Sequence, residues 1–166
     1  MESTLAKGSL RLLWGDESAT QAFAVRLACL PGLANAFITL HGDLGAGKTT
    51  LTRHLLQALG VGGRIKSPTY TIVESYDTAT FAAWHFDFYR FNDPQEWEDA
   101  GFRDIFASPG LKLAEWPQKA EGLLPKADLD IALLTEGETA RRVTLTAHTA
   151  VGLALIQGLA PAGIAE

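Results

Sequence analysis

The chain has 166 residues, 47% of them hydrophobic and 20% charged, enough for one domain with a buried core and no disulfide staples. Its formal net charge is −5 at pH 7 and no basic block stands out, which argues against direct, strong nucleic-acid binding by this chain. Cys29 is the one cysteine, so no internal disulfide can form, and no apolar run approaches the ~18 residues that span a membrane.

In chain order, "MESTLAKGSLRLLWGDES" has no leader-like apolar core, so a cytoplasmic location without membrane contact is expected. "SLRLLWG" reads as a short strand. Ser18 to Gln21 has capping-box spacing and predicts a helix to about Leu30, ended by Pro31-Gly32. "NAFITLH" reads as a buried strand. "KTTLTRHLLQAL" sets Leu51, Leu55 and Leu59 on one helical face, with Gly60 as the stop. A glycine-rich loop follows, "GVGGRIKSP". "TYTIVESY" and "AAWHFDFY" alternate like strands of a hairpin joined by "DTATF". "DPQEWEDAG" is a short helix with Asp93 at the N-cap, Pro94 at N1, Glu96 at N3 and Gly101 at the end. "LKLAEW" is a strand and "PQKAEGLL" a short helix. "LDIALLT" and "RRVTLTAH" flank "EGETA" as a terminal hairpin, and "VGLALIQGL" is a last helix or packed segment. The sum is one α/β domain over residues 1–166, with a mixed central sheet flanked by helices.

Gly42-x-x-x-x-Gly47-Lys48-Thr49 matches the P-loop pattern in full, between a strand and a helix. Each residue type has a reason. Glycines let the backbone curl so that N–H groups point at phosphate. The helix that follows aims its N-terminal dipole at the same anion. Lys48 reaches the β- and γ-phosphates, and the Thr49 hydroxyl is a Mg²⁺ ligand. The pattern does not separate ATPase, GTPase, kinase and switch. No Asp-x-x-Gly occurs anywhere, and "PKAD" has proline where the guanine motif needs asparagine, which argues against a GTPase. The eight arginines are scattered rather than gathered in a lid, with only Arg141-Arg142 adjacent.

Three further places carry chemistry. In "KSPTY", Pro68 biases Ser67 to extended conformations and presents Thr69, either as a switch-like threonine or as a plain strand entry. In "WHFDFYR", alternation puts His85, Asp87 and Tyr89 on one face. Asp87 ends an apolar strand, where P-loop proteins hold metal or position water, yet a structural bond to Arg90 or the backbone is the equal alternative. His85 reads as structural. In "LKLAEWP", Glu115 ends a strand whose C-terminal end belongs to the ligand crevice of α/β folds. Trp116 reads either as core or as part of a partner surface beside that acid.

Taken together, "GDLGAGKTTL", "SPTYT", "HFDFYR" and "EWP", in this order and at these spacings, resemble the TsaE family over about Leu12 to Leu159. TsaE proteins are P-loop ATPases required to form threonylcarbamoyladenosine on bacterial tRNAs that read codons starting with A. The resemblance implies that Lys48 and the backbone of Gly45, Ala46, Gly47, Lys48, Thr49 and Thr50 hold ATP. It implies Thr49 and Glu115 as Mg²⁺ ligands, Thr69 in a switch-like loop and Asp87 in hydrolysis. Trp116 is implied to lie beside the site and Glu17 to border the adenine. The implied partners are TsaB and TsaD, which perform the transfer, with tRNA engaged only through that complex. The expected function is therefore a Mg²⁺-dependent ATPase switch, slow without its partners. The rivals are a P-loop small-molecule kinase and a nucleotide-gated binding module without useful hydrolysis.

Overall fold

The computed structural model describes residues 8–65 and 72–160. The first strand, β1, is Ser9–Trp14, and the first helix, α1, is Glu17–Ala28. The cap of α1 is Asp16, not the expected Ser18. Asp16 is extended and its carboxylate accepts the N–H groups of Ser18 (3.0 Å) and Ala19 (3.4 Å), whereas Ser18 already lies inside the first turn. After a 3₁₀ turn at Pro31–Asn35 come strand β2, Phe37–His41, and helix α2, Lys48–Ala58. Leu51 and Leu55 are buried and Leu59 packs partly against the same core, as their spacing predicts.

Strands β3, Val73–Asp77, and β4, Ala82–Asp87, form the expected hairpin; "TYT" at its start lies outside the described residues. Asp93 caps α3, Pro94–Asp99, through a capping box with Glu96. Gly101 was expected only as a stop. It is left-handed (φ 70°) and also opens a further helix, α4, Phe102–Ala107. Strand β5 is Leu111–Glu115. The helix expected from "PQKAEGLL" is a single 3₁₀ turn, Pro117–Ala120. The terminal hairpin is β6, Leu129–Glu136, with β7, Ala140–Ala147, and the last segment is helix α5, Ala150–Leu159, capped by Thr149.

The seven strands lie in the order β1-β7-β6-β2-β5-β4-β3. β6, β2, β5 and β4 run parallel, and antiparallel strands extend the sheet on both sides, giving the mixed sheet expected. One face packs on α1, α2 and α5 through residues such as Phe23, Leu27, Leu40, Leu55, Ile131 and Ile156. The other face carries an aromatic cluster, Phe86, Phe88, Trp97 and Phe102, under α3 and α4. Among the described residues no helix is long and apolar enough to cross a membrane. The parallel register sets Leu40 beside Glu115 and Glu115 beside Asp87, so the C-terminal ends of β2, β5 and β4 share one edge. That edge is where open α/β sheets bind ligands.

Candidate functional site

The loop between β2 and α2 has the shape its glycines predict. Gly42 has φ 148°, and a Cβ there would lie 2.7 Å from the Leu133 carbonyl oxygen, so a larger residue is excluded. Gly47 is left-handed (φ 109°) at the N-cap of α2 and has no side chain to block the free N–H groups of that helix. Lys48 is 5% exposed. Its Nζ donates to the Gly42 carbonyl and to that of Asp43 (3.2 Å), and stands 4.4 Å from the centre of the Trp116 ring. Burial lowers its pKa, while the carboxylates of Glu115, Asp87 and Asp43 oppose the shift.

Glu115 is buried at the end of β5. Its Oε2 accepts from His85 Nε2 (2.7 Å) and from Thr49 Oγ1 (3.3 Å). The other ring nitrogen of His85, Nδ1, is buried without a partner among the described residues. His85 is thus structural, as its sequence position suggested, but the group it supports is a site acid. Asp87 is the adjacent acid on β4 and accepts the Tyr89 N–H (3.0 Å). Burial raises the Asp87 pKa, the nearby Glu115 charge adds to the rise, and the Tyr89 bond and Lys48 oppose it.

Trp116 is half-buried and packs against the edge of the aromatic cluster, so it is partly core. It forms the floor beneath Lys48 and packs on Tyr89, ring centres 5.0 Å apart. It has the one positive φ (55°) of any non-glycine among the described residues, a conformation that costs about 1 kcal/mol or more for a bulky side chain. This turn sends the chain away directly after Glu115.

The fold thus brings Lys48, Thr49, Glu115 and Asp87 together beside Gly45, Ala46, Gly47 and Thr50. Glu17 is not among them: its carboxylate pairs with Arg53 (3.3 Å) and His54 (2.8 Å) and ties α1 to α2. Thr69 lies outside the described residues. One contact was missed in the sequence. Arg141 of β7 reaches the loop and donates to the carbonyls of Ala46 (2.7 Å) and Gly45 (3.4 Å). The only signal for it was its place in the pair Arg141-Arg142.

The donor set fits Mg²⁺ and phosphate. Thr49 Oγ1 and Glu115 Oε2 are hard oxygens, side by side where the glycine-rich loop enters α2. Among the described residues no three His, Cys, Asp or Glu side chains form a metal cage.

Three comparisons bear on this chain. The family model described as "Threonylcarbamoyl adenosine biosynthesis protein TsaE" matches residues 14–143. A tRNA threonylcarbamoyladenosine biosynthesis protein TsaE from Haemophilus influenzae is 47% identical over 119 residues, 72% of this chain and 75% of the relative. One from Bacillus subtilis is 40% identical over 110 residues, 66% and 68% of the two chains. The crystal structure of YdiB from Bacillus subtilis superposes with a TM-score of 0.74 at 30% identity, covering 91% of this chain and 93% of that one. The fold is accordingly P-loop NTPase-like.

Proposed function

The chain belongs to the TsaE family, whose members take part in tRNA threonylcarbamoyladenosine biosynthesis, and from that premise we propose that it is a Mg²⁺-dependent ATPase acting as a switch on a TsaB–TsaD complex. One observation carries the ATPase reading. Thr49 Oγ1 lies 3.3 Å from Glu115 Oε2 beside Lys48, and Asp87 is the next acid along the same sheet edge. A P-loop flanked by one acid for metal and another for water is the minimum set for hydrolysing a nucleoside triphosphate.

Each residue has a distinct task. Lys48 leaves the Gly42 and Asp43 carbonyls and turns its charge on the β- and γ-phosphates. The backbone from Gly45 to Thr50 holds phosphate oxygens. Thr49 and Glu115 would hold Mg²⁺, with His85 orienting Glu115. When bound, the ion would supply charge neutralisation at the phosphate oxygens. Asp87 accepts a hydrogen bond from the attacking water and aligns it. Trp116, beside both Lys48 and Glu115, offers a partner direct access to the site. The reading places this work in the cytoplasm, with tRNA met only through the complex.

Steady-state ATP hydrolysis by the protein alone, then with TsaB–TsaD and tRNA, is the test. Slow turnover alone, stimulated by the complex and not in a Trp116→Ala variant that still binds ATP, is the expected result. A fast enzyme indifferent to TsaB–TsaD defeats the switch. ADP formed only with an added acceptor that gains phosphate points to a small-molecule kinase. Tight ATP binding without turnover under every condition points to a nucleotide-gated binding module.

A further inference from the structure

Two cations hold the carbonyl side of the phosphate loop, one on each half. Lys48 Nζ holds the carbonyls of Gly42 and Asp43. Arg141 of β7, 95 residues beyond Ala46, holds the second half: Nε donates to Ala46 O (2.7 Å) and Nη2 to Gly45 O (3.4 Å). Its remaining nitrogen, Nη1, donates to Ala140 O (2.9 Å), which anchors the guanidinium to its own strand. The Ala46 and Ala140 bonds are partly shielded from water, and the Gly45 bond is exposed.

The consequence follows from peptide geometry. In a trans peptide the N–H points opposite to the C=O. Holding Ala46 O against Arg141 therefore turns the Gly47 N–H to the other side, away from β7. Gly47 is the N-cap of α2, and its left-handed backbone can swing easily because it lacks a Cβ. A loop of this kind needs an external clamp to keep its N–H groups aimed before an anion arrives. Lys48 cannot be that clamp, because reaching a phosphate means releasing Gly42 and Asp43. Among the described residues the hydrogen bonds of the Arg141 side chain all go to carbonyls, none of which a phosphate has to take from it.

We propose that Arg141 is a positioning residue for nucleotide binding: it clamps the Gly45 and Ala46 carbonyls so that the Gly47 N–H stays aimed at phosphate when Lys48 changes partners. This rests on the ATPase reading above. Guanidinium shape matters as much as charge, since a planar fork can bridge two successive carbonyls and a lysine ammonium cannot do so in the same way.

The test uses Arg141→Ala, Arg141→Lys and, as control, Arg142→Ala, whose side chain points to solvent and pairs with Glu136 on the neighbouring strand. Without nucleotide, amide hydrogen exchange over residues 45–48 is expected to quicken in Arg141→Ala and to match wild type in Arg142→Ala. By calorimetry, ATP affinity should fall about tenfold or more in Arg141→Ala, the scale of a lost charged hydrogen bond, with little regained in Arg141→Lys. In turnover, KM should rise while kcat changes little, because Arg141 touches no reacting atom. Wild-type ATP affinity in Arg141→Ala overturns the proposal, as does full rescue by lysine or an equal loss in Arg142→Ala. If Arg141→Ala fails to fold, Arg141→Gln, which keeps one donor on a shorter stem, carries the same measurements. A wild type that does not bind ATP sinks the ATPase reading and the nucleotide role of Arg141 with it. Faster exchange in Arg141→Ala would then leave Arg141 as a loop anchor only, which separates the two failures.

Discussion

At the scale of single residues, the site holds its charges in an arrangement that nucleotide must undo. Lys48 is buried on loop carbonyls and over the Trp116 ring, and burial already lowers its pKa. Its role is charge rather than packing, so Lys48→Ala should stay folded and lose productive ATP binding by about two orders of magnitude. Calorimetry beside a thermal melt checks both halves of that statement. The two acids sit next to each other in register yet face different tasks. Glu115 touches Thr49, so Glu115→Gln should mainly raise the Mg²⁺ concentration needed for ATP binding. The Asp87 carboxylate accepts the Tyr89 N–H rather than the Thr49 hydroxyl that Glu115 accepts, so Asp87→Asn should mainly lower kcat, by a factor of ~10². Magnesium titrations of both variants decide the matter, and an unchanged Mg²⁺ dependence in Glu115→Gln would remove it from the metal shell. His85 and Arg141 show what residue-level reading overlooks. The partner of His85 lies 30 residues away and that of Arg141 lies 95 away, distances no local pattern spans.

At the scale of elements, the strands and long helices follow the periodicity of their residues, and the departures occur at ends. Asp16 rather than Ser18 caps α1 because both types can cap and only the backbone decides which one is extended. Helix α4 escapes notice because a left-handed glycine suits either end of a helix, and Gly101 serves both α3 and α4. Helix α5 docks through a close approach that the sequence does not announce. A Cβ on Gly152 would stand 1.8 Å from the Asp128 carbonyl oxygen, so backbone or helix must shift. Gly152→Ala should therefore destabilise the protein by roughly 3 kcal/mol despite the better helix propensity of alanine. Urea unfolding measures this, and a variant as stable as wild type would mean that α5 can slide off β6 without loss.

At the scale of the whole molecule, Asp130 fastens the sheet from within. Thr39 of β2 donates to it, His148 beyond β7 bonds it at 2.7 Å, and His41 stands 3.6 Å away. Burial pushes its pKa up, but the nearby His41 and the bonds from Thr39 and His148 outweigh burial and hold it well below the ordinary 3.8. A depressed acid adds stability that is present above its unfolded value and fades as pH falls from about 4 through the folded value. Nearly a third of the side chain is exposed, so the contribution is discounted to roughly 1 kcal/mol. Asp130→Asn should lose that much at pH 7 in denaturant titrations, and the gap should narrow steadily below pH 4; a gap independent of pH would assign the loss to packing instead. On this scale the division of information is plain. The sequence by itself determined the α/β class, the phosphate loop and the two acids at strand ends, because chain period and local spacing encode faces, turns and termini. Only the tertiary structure decided that α3 and α4 cover one half of a sheet face, that His85 supports Glu115 and that Arg141 reaches Gly45 and Ala46. Those contacts join residues 30 to 96 apart in sequence, and strand order, which no local period records, is what sets them side by side.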